Sequence, residues 1–278
     1  MNVENRTVLI TGANTGIGRA TALALARLGA RLHLAGRSEE RHAGVLADIR
    51  GMGGEARFLH LDLGNLGSVR AGAEQFLESG EPLHALINNA GLAASRGTTA
   101  DGFERTFGIN HLGHFVLTEL LLDRLRESAP SRVVNVASHA HYSVKAIDWE
   151  ALRRPTRSPT GMPEYGVSKL CNILHARELA TRLAGTAVTT YALHPGVIAS
   201  DVWRGVPWGI RHLIRLFMRS TEEGAATSVH CATSDDAGRQ SGLYYADCRP
   251  HEPSALARDD ALAGSLRDRS LKWSGLTG

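Results

Sequence analysis

At 278 residues, with 43% hydrophobic and 21% charged side chains, the chain can bury a sizeable core and is too apolar to stay disordered. A net charge of +3 is too small to imply nucleic-acid binding by itself, and no apolar run approaches the roughly 18 residues of a membrane span. Three widely spaced cysteines (Cys171, Cys231, Cys248) argue against a disulfide framework or zinc ribbon, and no basic-then-apolar leader precedes Val8-Leu9-Ile10, so reduced thiols and a cytoplasmic location are expected.

Along the chain, short β-rich runs alternate with helix-length amphipathic stretches. The runs are Thr7–Thr11, Arg31–Ala35, Arg57–Leu61, Ala85–Asn88, Arg132–Val136, Ala187–Leu193 and Leu243–Ala246. The first six are short and largely apolar, as strands covered on both faces by crossover helices must be. Between them, Leu23, Leu25, Ala26 and Leu28, or Leu117, Leu120, Leu121 and Leu125, follow helical spacing. This alternation predicts an α/β fold: a doubly wound, mostly parallel seven-stranded sheet with helices on both faces, one Rossmann domain over residues 1–278. Two segments fall outside the pattern. His139–Glu164, with Pro155, Pro159 and Pro163, reads as an excursion loop, and Asp201–Ser220 leaves the sixth strand where such sheets bind ligands.

Directly after the first strand stands Thr11-Gly12-Ala13-Asn14-Thr15-Gly16-Ile17-Gly18, then a helix. Glycines at a strand-to-helix turn let the backbone turn tightly and approach a pyrophosphate, whose charge suits a helix N-terminus. The spacing is G-x-x-x-G-x-G, and the missing Gly-Lys-Ser/Thr ending excludes a P-loop. The second strand ends in Gly36-Arg37 with no acid before Glu39. A guanidinium there suits a ribose 2′-phosphate where a carboxylate would suit a 2′-hydroxyl, so NADP(H) is the expected cofactor.

Tyr165 and Lys169 stand four apart at the head of a helical stretch and so share a face. Together with the glycine loop, Asn88-Asn89-Ala90-Gly91, Asn110 and Ser138, they make the chain resemble the short-chain dehydrogenase/reductase family from about Thr7 to Tyr245. Within it the chain looks most like the retinol dehydrogenase branch, on Asn110-His111-Leu112-Gly113-His114-Phe115, Asn135 to His141, His194-Pro195-Gly196 and Gly224-Ala225-Ala226-Thr227-Ser228. Ala137 replaces a serine common in that branch. Membrane-bound members carry an N-terminal apolar anchor, whereas this chain enters its first strand within a few residues.

The resemblance implies an oxidoreductase acting on the CH-OH group, and the expected NADPH preference points to carbonyl reduction as its direction. It makes Tyr165 the general acid/base, Ser138 the group that orients the carbonyl oxygen, Lys169 the cation beside Tyr165, and Asn110 the support of a water relay to Lys169. Chemistry demands the same parts, because a carbonyl accepting hydride develops charge on oxygen. For Tyr165 to act as a base its pKa must fall from near 10 to near 7, about 4 kcal/mol. One cation at ~4 Å supplies that at an effective dielectric of 20. Implied cofactor contacts are Gly12, Asn14, Thr15, Gly16, Ile17, Gly18 and Arg37, then Asp62 and Leu63 at the adenine. Asn89, Ala90 and Gly91 would meet the adenosine-side ribose, and Pro195, Gly196, Val197 and Ser200 would wall the nicotinamide pocket, with Tyr165 and Lys169 touching its ribose. For Asp62 a plain strand-end cap is the alternative.

Thirteen histidines invite a metal, but none has a Cys or acidic partner at ligand spacing and hydride transfer needs no metal, so no metal site is expected. His111 and His114 read as packing beneath Asn110, and His139 as a pocket-rim residue. In the 201–220 segment Ile210, Leu213, Ile214 and Phe217 oppose Arg211, Arg215 and Arg219, with Trp203 and Trp208 nearby. A lid over an apolar alcohol, aldehyde or ketone, an oligomer contact, and a basic surface docking on lipid all fit; His139, Trp203 and Trp208 are the candidate substrate contacts. Two rival functions stand beside the enzyme, a non-catalytic NADP-binding sensor or scaffold and a membrane-surface adaptor. A homo-oligomer is a family expectation only.

Overall fold

The computed structural model describes residues 1–196 and 220–276. Among them, eight strands form one sheet in the order β3-β2-β1-β4-β5-β6-β7-β8. These are β1 (Thr7–Thr11), β2 (Arg31–Gly36), β3 (Ala56–His60), β4 (Ala85–Asn88), β5 (Ser131–Val136), β6 (Val188–His194), β7 (Leu243–Ala246) and β8 (Arg249–Pro250). Each expected run forms a strand within a residue or so of its predicted ends. The addition is β8, two residues antiparallel to β7, where sequence gave no periodicity to read.

The main helices are α1 (Gly16–Arg27), α2 (Glu39–Gly51), α3 (Leu66–Glu78), the single turn α4 (Arg105–Phe107), α5 (Gly113–Glu127), α6 (Met162–Arg182), α7 (Thr221–Thr233) and α8 (Asp260–Ser274). Alternate strand residues serve opposite layers, as a two-residue period requires. Leu9, Leu86 and Val133 join Phe76, Phe115 and Leu174 from α3, α5 and α6. Val8, Ile10, Ile87 and Val134 join Leu25, Ile49 and Cys231 from α1, α2 and α7. Arg132 is buried on this second face, where its guanidinium donates to the carbonyls of Cys231 (2.8 Å) and Ser234 (2.7 Å) at the C-terminal end of α7. A cation placed there meets the negative end of the helix dipole, which offsets part of its desolvation.

The order of strands reverses between β1 and β4, since β1 pairs in parallel with both β2 and β4. Crossovers leave in opposite directions there, so a crevice opens beyond the strand C-termini. Thr11 closes its floor: its Oγ1 accepts the N–H groups of Asn89 (3.0 Å) and Ala90 (2.9 Å) and lies 2.8 Å from His114 Nε2.

The excursion read over His139–Glu164 is shorter than expected. Tight turns form at His139–Ser143 and Ala151–Arg153, and α6 already begins at Met162 because Pro163 fits a first helical turn. Glu164 in that turn holds the preceding loop, accepting from the N–H groups of Arg157 and Ser158 and from the Ser158 hydroxyl.

Candidate active site

A cavity of about 700 Å³ occupies the crevice. At one end lies the glycine turn. Gly12 and Gly16 have φ of +69° and +56°, a region that side chains with a Cβ rarely enter. A Cβ on Gly12 would stand 2.9 Å from the Ala90 Cα, and one on Gly18 would collide with the Gly12 carbonyl oxygen. Helix α1 starts here without a side-chain cap, since Thr15 makes no capping bond and no acid occupies the first turn. Asn14, Thr15, Gly16, Ile17 and Gly18 all line the cavity. The turn thus offers uncapped helix N–H groups and a backbone that nothing larger than glycine obstructs, which fits a pyrophosphate.

Arg37 lines the cavity at the end of β2 and is exposed. Sequence reasoning missed its companions Ser38, Arg41 and His42, which line it too. Arg41 lies in the first turn of α2, just after Arg37 and the N-cap Ser38, a nearness in sequence that could have signalled it. Among the described residues, none of the ion pairs uses either arginine. Two unpaired guanidinium groups fit a phosphate monoester.

Asp62 and Leu63 line the wall beyond β3. Asp62 also caps its own turn, accepting the Gly64 N–H at 2.9 Å, so the plain structural role and a place on the wall coexist. Ala90 and Gly91 face the cavity. Asn89 faces it as well, but its amide donates to the Thr11 (2.8 Å) and Gly12 (3.2 Å) carbonyls, which ties down the glycine turn.

At the other end the ends of β5, β6 and the head of α6 bring Ser138, His139, Tyr165, Lys169, Pro195 and Gly196 to the same cavity. Tyr165 and Lys169 share a face of α6, with Lys169 Nζ 5.7 Å from the tyrosine ring centroid. Burial pushes the Tyr165 phenol above its ordinary range, and a hydrogen bond with Ser138 draws it partly back. Lys169 donates to the Val136 carbonyl at 2.7 Å, and burial pushes its ammonium down to about 7. Without a bound cofactor, burial is the larger influence on both groups, raising the phenol and lowering the ammonium.

Asn110 lies behind the cavity wall, beside Gly91. It is fully buried, in a π-helical turn (Gly108–Leu112) between α4 and α5, and is not among the lining residues. Its Oδ1 accepts from the Leu92 N–H, its Nδ2 donates to the Leu92 carbonyl and Ser168 Oγ, and its own carbonyl accepts from His114 Nδ1. These bonds tie the loop after β4 to α5 and α6, while Oδ1 of Asn110 accepts a single bond and keeps a second acceptor site. Burial pushes His111 down to about 3 and His114 to about 4, so both stay neutral in the core.

His139 lines the cavity and stacks on His194 of the His194-Pro195-Gly196 motif, ring centroids 3.7 Å apart; Leu92, Ile109 and Met162 also line the cavity and carried no sequence signal of their own. Val197, Ser200, Trp203, Trp208 and the 201–219 part of the expected lid lie outside the described residues. Among the described residues, no group of three or more His, Cys, Asp or Glu side chains could hold a metal ion, and no helix is long and apolar enough to cross a membrane.

The short chain dehydrogenase family model matches residues 6–150. Retinol dehydrogenase 12 of Mus musculus is 44% identical over 99% of this chain and 88% of its own length. Dehydrogenase/reductase SDR family member 13 of Bos taurus is 45% identical over 99% of this chain and 74% of its own. Among solved structures, a Mycobacterium Paratuberculosis protein superposes with a TM-score of 0.79 at 33% identity, covering 99% of this chain and 95% of that one. The Pseudomonas aeruginosa RhlG/NADP active-site complex gives 0.69 at 25% identity, over 87% and 94%.

Proposed function

The chain belongs to the short chain dehydrogenase family as a retinol dehydrogenase-like oxidoreductase, and from that premise we propose that it is an NADP(H)-dependent enzyme interconverting an apolar alcohol and its carbonyl, with Tyr165 as general acid/base. One observation carries this: a single cavity runs from the Arg37 and Arg41 guanidinium groups past the glycine turn to Ser138, Tyr165 and Lys169.

The nicotinamide dinucleotide, when bound, supplies the hydride donor or acceptor. The residues do the rest. Arg37 and Arg41 would hold the 2′-phosphate, and the uncapped start of α1 the pyrophosphate. In reduction, the Ser138 hydroxyl donates a hydrogen bond to the substrate oxygen and the Tyr165 hydroxyl gives it a proton. A phenol kept protonated by burial suits that direction. In oxidation Tyr165 must lose its proton, and Lys169, half charged near neutrality, stabilises the phenolate from the same helix face. His139 and the apolar Met162 contribute to the substrate end, which supports an apolar substrate. The name of the mouse relative makes retinal the first member of the panel to try.

The test is initial-rate NADPH oxidation with a panel of apolar aldehydes and ketones. Turnover is expected with the unaltered chain and should fall at least ~100-fold in Tyr165→Phe, the lower range for a lost general acid. Tight NADPH binding with no turnover across the panel would favour a sensor instead; no NADPH binding would end the argument at the cofactor.

A further inference from the structure

His141 is fully buried in the turn that follows Ser138, and both of its ring nitrogens are engaged. Nδ1 lies 2.7 Å from the Ser138 carbonyl, and Nε2 accepts the Ser254 N–H at 3.1 Å. A backbone N–H can only donate and a carbonyl can only accept, so the partners fix a single neutral tautomer with the proton on Nδ1. The ring therefore joins the Ser138 backbone to the segment after β8, which lies over 100 residues away in sequence.

The same turn is clamped from its other side. A Cβ on Gly166 would stand 3.0 Å from the Ala140 carbonyl oxygen, so the turn rests directly on α6 one residue from Tyr165. Ser138 Oγ accepts the Ala140 N–H at 3.2 Å within it. Tyr142 donates to the Glu252 carbonyl and Arg258 pairs with Glu252, which seats the C-terminal segment on the turn. The rings of Tyr142 and Tyr244 pack against the His141 imidazole, with centroids 4.0 and 5.1 Å away.

We propose that His141 is a positioning residue: its Nδ1–H bond to the Ser138 carbonyl holds the Ser138 hydroxyl in place against Tyr165, anchored by Ser254 from the C-terminal segment. The inference rests on the roles given to Ser138 and Tyr165 above. It explains why a histidine that touches neither cavity nor solvent has two directed bonds, one of them to the backbone of a reacting residue.

Two substitutions separate the bonds. Asparagine can present an amide N–H where Nδ1 stands and loses the Ser254 acceptor; glutamine can present a carbonyl where Nε2 stands and loses the Ser138 donor. With saturating NADPH and a carbonyl that the unaltered full chain reduces, His141→Asn should hold kcat within about threefold. His141→Gln should lose roughly 10- to 100-fold in kcat, the scale of an ångström-sized misplacement, with KM and NADPH affinity nearly unchanged. Equal kcat in the two variants, or loss only in the asparagine one, would overturn the proposal. Nitrogen-15 spectra of the unaltered protein give a check that needs no variant: Nδ1 protonated and Nε2 bare supports it, and the opposite tautomer overturns it. Loss of turnover in Tyr165→Phe together with parity of the two His141 variants would refute this inference alone. An unaltered chain that reduces nothing would remove the underlying reading and this inference with it.

Discussion

Burying Lys169 to 3% exposure makes stability depend on pH. Its ammonium titrates at about 7 in the folded chain against an ordinary 10.5. Below both values the group is charged in folded and unfolded chains alike, and the full cost of charging it in the core is present. Between them the unfolded state binds more protons, so stability rises with pH. Without cofactor, the protein should therefore gain a few kcal/mol relative to Lys169→Met as pH is raised from about 6 to about 9. Urea titrations at both pH values read this, and a difference that shrinks with pH would contradict it. At the cavity's other end, Arg37→Asp should weaken NADPH binding at least ~10-fold while NADH binding holds or improves, since a charge-assisted bidentate contact becomes a repulsion. Equal losses for both cofactors, by fluorescence titration, would remove the phosphate assignment.

At the scale of elements, the glycine turn shows how a strand and a helix are made to meet. Gly18 lies in the first turn of α1, against the Gly12 carbonyl and the Asn89 amide, and that amide in turn holds the Thr11 and Gly12 carbonyls. Replacing Gly18 by alanine drives a methyl into backbone that cannot yield without moving α1. A loss of about 1–3 kcal/mol in stability, the usual cost of overpacking, is expected together with at least tenfold weaker NADPH binding. Denaturant unfolding and cofactor titration check the two effects separately. The π-helical turn between α4 and α5 is the other such joint. Its register turns Asn110 inward, where the side chain bonds Leu92 and Ser168, and turns of this kind concentrate at functional sites. No pattern in Gly108-Ile109-Asn110-His111-Leu112 announces it, because π and α turns differ in hydrogen-bond register while sharing composition.

On the scale of the whole molecule, the cavity draws its walls from almost every strand C-terminus, so a ligand filling it should stabilise the fold as one unit. At a hundred times its Kd, NADPH should add about 2.7 kcal/mol, raising Tm by roughly 5–10 °C, with a smaller rise for NADH at equal concentration. Identical shifts for the two would again tell against Arg37. The alternation of apolar runs and amphipathic stretches was enough to determine the parallel sheet, because strands buried on both faces and helices buried on one carry different periods. The candidate residues were legible for a related reason: the glycines, Arg37 and Ser138 sit where the chain must turn, and the spacing of Tyr165 and Lys169 puts them on one face of α6. What sequence could not decide is which polar atoms those residues have left over. Asn110 bonds Leu92 and Ser168 behind the cavity, burial lowers the Lys169 ammonium to about 7, and His141 meets Ser254 across the fold. Partners distant in sequence and the local exclusion of water set those outcomes, and only tertiary structure brings them together.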